Sequence, residues 1–131
     1  MFLPGCGTIK PKGGIFVSQT REIRRLLTEA YYFAKQSFEL CYDDINIGKS
    51  ADTTMALSFA AKCTSKYADA AAVYLSNPEL EDENILLMLR QFEVFTAEIR
   101  TAQKKTKRNN TNMHIEFEHL ENLLRENGYQ I

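Results

Sequence analysis

The chain has 131 residues, with 16 basic and 17 acidic side chains and a net charge of −1, so it is neither histone-like nor polyanionic. Apolar residues make up 44% and charged residues 25%, the balance of a globular chain of single-domain size. With no Trp, six Gly and three Pro it lacks the turn residues of a β sandwich.

Residues 1–17 hold four of the six glycines and two of the three prolines. That density of helix breakers predicts an N-terminal arm, with Ile15-Phe16-Val17 available to pin it to the body. The start of the chain has neither a basic n-region nor an apolar stretch of signal-peptide length. No apolar run reaches the ~18 residues of a membrane helix, so no membrane partner is expected.

Helix one is predicted over about 18–45, capped by Ser18. Its apolar residues Ile23, Leu27, Ala30, Ala34, Phe38, Cys41 and Ile45 recur at steps of three and four, which place them on one face. Helix two is predicted over about 52–75, on Ala56, Ala60, Cys63, Tyr67, Ala70 and Tyr74. Its many alanines favour the helix and allow close approach, which predicts a helix deep in the bundle. Ser76-Asn77-Pro78 should end it, with Asn77 capping a third helix over 78–107 and Pro78 in its first turn. Ile85, Met88, Phe92, Phe95, Ile99 and Ala102 form the stripe of that helix. Glu79, Glu81, Asp82 and Glu83 at its start and Lys104, Lys105, Lys107 and Arg108 at its end complement the helix dipole.

Helix four is predicted over about 111–127, with Met113, Phe117, Leu120 and Leu124 inward, Gly128 as its left-handed stop and Tyr129 folding back. Four periodic helices with short connections predict an all-α, antiparallel up-down four-helix bundle over 18–131.

Motifs that carry chemistry are sparse. Glu116-x-x-His119 has the i, i+3 spacing of di-iron bundles, but such a site needs two of these motifs and the chain has two histidines in all. His114 and His119 diverge by about 140° around a helix, which is poor geometry for a shared metal. His114 and Glu118 are spaced to pair on the surface, and Asp43-Asp44 reads as a solvated helix end. Phosphate loops, nucleophile elbows and C-x-x-C pairs do not occur. Cys41 and Cys63 fall on apolar positions, Cys6 stands alone near the N-terminus, and the set reads as reduced and cytoplasmic. The expectation is therefore no enzyme, no cofactor and no metal.

Two surface features remain. Helices one and three carry more apolar positions than the three in seven that a bundle uses, which assigns Tyr31, Tyr32, Tyr42, Leu86 and Leu87 to a protein interface or a homo-oligomer contact. Basic residues gather at the start of helix one (Arg24, Arg25) and the end of helix three (Arg100, Lys104, Lys105, Lys107, Arg108), an alternative nucleic-acid surface split between the two ends of the molecule. The leading expectation is an adaptor, regulator or accessory subunit that binds protein and self-associates.

Overall fold

A computed structural model describes residues 10–41, 50–104 and 111–131, with side chains over 18–41, 53–102 and 111–131. It contains α1 (Lys10–Cys41), α2 (Ser50–Leu75), a short 3₁₀ turn (Pro78–Leu80), α3 (Glu83–Lys104) and α4 (Thr111–Glu126), and no strand among the described residues. The all-α four-helix fold is the one the apolar periodicity predicts.

Contacts between helices fix their directions. Glu29 meets Lys66 and Ser37 meets Ala56, so α1 and α2 run opposite ways. Tyr74 meets Asp82 and Tyr67 meets Phe92, which sets α3 against α2. Arg24 meets Asn127, Tyr31 meets Glu121 and Phe38 meets His114, which sets α4 against α1. α1 and α3 thus run one way and α2 and α4 the other, and α1 also meets α3 directly where Phe38 touches Phe95.

Every described residue of the four predicted stripes is buried or half-buried, and Ile23, Leu27, Ala34, Phe92, Phe95, Ile99, Leu120 and Leu124 are all but sealed. Phe117 stacks on Phe38 with ring centroids 4.1 Å apart and lies 5.3 Å from Phe95 and 6.0 Å from Tyr31. α1 and α2 pack most intimately, because Ala30, Ala34, Ala56, Ala60 and Cys63 leave no bulk between them. In that seam the buried Ser37 hydroxyl donates to the Ala56 carbonyl across 2.8 Å.

Two helix starts differ from the sequence reading. α1 begins at Lys10, not Ser18, so residues 10–17 are helical and only 1–9 of the expected arm lie outside the described residues. Pro11 falls in the first turn, where its missing N–H costs nothing, and the pair Gly13-Gly14 weakens a helix by about 1 kcal/mol each without breaking it. At the other end the expected turn to Ile45 lies outside the described residues.

Helix three does not start at Pro78. The 3₁₀ turn is followed by Glu81 in the left-handed region (φ 38°, ψ 58°), and the helix begins only at Glu83. Asn77 does not cap it; its Nδ2 donates back to the Val73 carbonyl at 2.7 Å. Asp82 is the cap, with Oδ1 accepting from the Asn84 N–H at 2.9 Å. Nor is α2 the deep helix: Met55, Leu57 and Leu75 are exposed, as are Ala61, Ala68 and Ala72.

At the end of α4, Gly128 takes φ +85° and Tyr129 is buried. The Gly128 N–H donates to the Arg125 carbonyl and the Tyr129 N–H to the Leu124 carbonyl, each at 3.0 Å, which is a Schellman stop.

Candidate interaction surface

Of the five residues assigned to a protein interface, Tyr31 is not on a surface at all. It is 7% exposed, covered by α4, and its hydroxyl donates to a Glu121 carboxylate oxygen at 2.6 Å. Burial and that carboxylate together hold the Tyr31 hydroxyl in its neutral form well above the usual tyrosine range. Leu26 is buried and Phe33 and Leu40 are half-buried. The surplus apolar positions of α1 thus go largely into the core.

Tyr32 does remain outside, 58% exposed, with its ring edge on Phe33. Beside it, Phe33 stacks on Phe59, and Lys62 lies over both of those rings. Tyr42 lies outside the described residues. On α3 the surplus is real: Leu86 is 48% and Leu87 53% exposed. The structure does not bring the five together, since Tyr32 stands on α1 and the two leucines on α3.

A groove of about 560 Å³ between α2 and α3 gathers Ala68, Ala71, Ala72 and Leu75 from one helix and Leu86, Leu89, Arg90 and Glu93 from the other. Its floor is alanine and its walls are leucine, with charge confined to Arg90 and Glu93. Leu75, 72% exposed, is the most open large apolar side chain described. Leu87 opens on the outer flank of α3 beside Glu83, Asn84 and Arg90.

Sequence reasoning missed Leu75 because it completes no part of the inward stripe of α2. The signal was there in Ala68, Ala71, Ala72 and Leu75, a second set at helical spacing that turns away from Ala56, Ala60, Cys63 and Ala70.

The basic residues fare differently at the two ends. Arg24 donates from Nη2 to the Asn127 carbonyl at 3.0 Å and lies 4.3 Å over the Tyr129 ring, so it latches the end of α4. Arg25 pairs with Glu22 at 2.7 Å and Glu29 at 2.8 Å, and Glu29 also meets Lys66 at 2.9 Å. Those hydrogen-bonded acids hold the Arg25 guanidinium firmly charged, and Arg25 and Lys66 in turn lower the Glu22 and Glu29 carboxyls.

Arg100 is exposed, and Lys104 is the last residue of α3. Lys105, Lys107 and Arg108 lie outside the described residues. With Phe38 opposite Phe95, Arg24 and Arg100 are separated by about 28 Å of helical rise. The structure does not join the basic ends into one track.

The Glu116-x-x-His119 pair is in contact, with His119 Nδ1 3.4 Å from Glu116 Oε1. The same carboxylate oxygen accepts from Gln91 Nε2 at 2.9 Å, and Gln91 also donates to the Glu116 carbonyl at 3.0 Å. Glu116 is therefore a polar tie between α3 and α4. His114 sets its ring edge-on to Phe38, with centroids 5.1 Å apart. Among the described residues no three His, Cys, Asp or Glu side chains are grouped to hold a metal ion, and no helix is long and apolar enough to cross a membrane.

The chain matches no family model, no curated protein and no solved structure.

Proposed function

We propose that this chain is a non-enzymatic helical bundle, an adaptor, regulator or accessory subunit, that binds protein through its α2/α3 face. The observation that carries the reading is the groove itself, where Leu75 and Leu86 stand open over an alanine floor. Exposed leucines gathered over one groove mark a docking surface more often than scattered single ones do. An amphipathic helix laid in such a groove would bury its apolar face there. The thiol of Cys63, buried in the core as a small hydrophobe, supports a reducing cytoplasm as its location.

Photo-crosslinking in cells tests the reading. A photoreactive residue in place of Leu75 is expected to give discrete protein adducts that survive nuclease. The same residue in place of Ile115, exposed on α4, is expected to give none. Equal labelling at both positions, or adducts lost on nuclease treatment, would contradict it. The second outcome would instead favour nucleic-acid binding.

A further inference from the structure

We infer that the partner docked on this face is a second copy of the same chain, laid antiparallel along the outer stripe of α3. The inference rests on the α2/α3 face being a docking surface and goes further by naming the occupant and the register.

The stripe consists of Glu83, Leu86, Arg90, Glu93, Ala97 and Arg100, spaced by three and four residues in alternation. That is the spacing of a coiled-coil seam. It parallels the core stripe of the same helix but is displaced by two residues, which carries it to the opposite, outward side. All six positions are exposed except Ala97, which is half-buried. None of the four charged residues forms an ion pair with another described residue.

The order along the stripe is acid, leucine, base, acid, alanine, base, and this order complements itself when reversed. An antiparallel copy whose Glu93 stands opposite Arg90 also brings its Arg100 opposite Glu83 and its Ala97 opposite Leu86. The two-fold axis then repeats all three contacts, so four ion pairs form and each leucine lies over the smallest residue of the facing stripe.

Other arrangements fail on charge. A parallel pairing sets Glu83 on Glu83 and Arg90 on Arg90. Sliding the antiparallel pair by one heptad either way sets Arg90 on Arg100 or Glu83 on Glu93. Like charges at facing positions are repelled, so one register alone satisfies every charge. On the α2 side the stripe is flanked by the small residues Ala68, Ala71 and Ala72, with Leu75 standing open beside Leu86.

Exposed ion pairs are individually weak and are screened by salt, so this dimer should form at high protein concentration and loosen as salt rises. Sedimentation analysis of the full chain tests it. The mass is expected to rise with concentration from 15.0 kDa toward twice that value. Arg90→Glu and Glu93→Arg should each weaken self-association about tenfold or more, since each places like charges at facing positions.

Two further measurements make the test specific. An equimolar mixture of the two variants should recover the dimer as a heterodimer, and the double variant should recover it alone. At concentrations too low for the dimer, circular dichroism melts of all four proteins should coincide, because these positions are exposed. A wild-type mass of 15.0 kDa at every concentration would overturn the inference. So would self-association that charge reversal leaves unchanged, or that mixing does not restore. In any of these cases, nuclease-resistant adducts at position 75 to proteins other than this chain would leave the docking surface standing. Absence of any such adduct would remove both.

Discussion

Phe117 lies where three helices meet, stacked on Phe38 and within ring contact of Phe95 and Tyr31. Removing that ring opens a cavity its neighbours cannot fill, so Phe117→Ala should cost about 3–5 kcal/mol in denaturant unfolding. A loss below ~1 kcal/mol would mean that the stripe of α4 does not face the core. Tyr31 adds a pH dependence. Its native pKa is raised above the unfolded value near 10, chiefly by burial and then by its bond to Glu121. The native state therefore holds the phenolic proton more tightly than the unfolded state. The associated stability is complete below pH ~10 and is lost as pH rises beyond it. Tyr31→Phe removes this bond to a carboxylate, worth about 1.5–3 kcal/mol at neutral pH, and should flatten the alkaline limb of a stability profile. Tyr129, raised by burial, contributes a remaining slope of the same sign.

The Cys41 and Cys63 thiols behave as core residues. Burial pushes the Cys63 thiol up to about 12, and Cys41 is sealed beside Phe38 in the same core. Alkylation at pH 8, read by peptide mass, should leave both unmodified until denaturant is added. Rapid labelling of either in the native chain would contradict the packing described.

Among the elements, what the sequence makes legible is periodicity. The four stripes, the end of α2 at Leu75 and the stop at Gly128 all follow from residue type and spacing, and all are present. What is not legible depends on competition between local signals. Asn77 and Asp82 are both good caps; the connection after Pro78 turns through Glu81, and that turn hands the role to Asp82. Gly13 and Gly14 read as breakers, yet a 32-residue helix accommodates two costs of about 1 kcal/mol. Ser37 and Thr96 gave no signal, because their hydroxyls are satisfied by the Ala56 carbonyl and by the Phe92 and Glu93 carbonyls, partners that only the fold supplies. The left-handed residues give a paired test. Gly128→Ala should destabilise by about 1–2 kcal/mol, since an L side chain resists φ +85° even though the space beside it is open to Arg24. Glu81→Gly relieves the same penalty and should raise the thermal midpoint. Opposite signs from the two substitutions are the outcome to look for.

For the whole molecule, the central point is where surplus apolar surface ends up. On α1 the surplus is taken into the core, where Leu26 is sealed and Tyr31 is held under α4 by Glu121. On α3 the surplus stays outside, and Leu86 joins Leu75 of α2 over the groove. Composition points to the exposed leucines of α3, but not to the enclosure of Tyr31 or the exposure of Leu75. Which helices become neighbours is a property of topology, and periodicity within one helix does not report it. The charge stripe of α3 was hidden for a related reason, since acids and bases on an outward face read as ordinary solubility until their order is compared with its own reverse.

Carbene footprinting of the α2/α3 face reads side-chain accessibility at each position of the intact chain. The purified protein at low concentration should label strongly at Leu75, Leu86 and Ile115, all exposed in the isolated fold. In native lysate, labelling at Leu75 and Leu86 should fall several-fold while Ile115 is unchanged. Equal labelling of all three residues in both settings would show that nothing covers the α2/α3 face and would contradict its role as a docking surface.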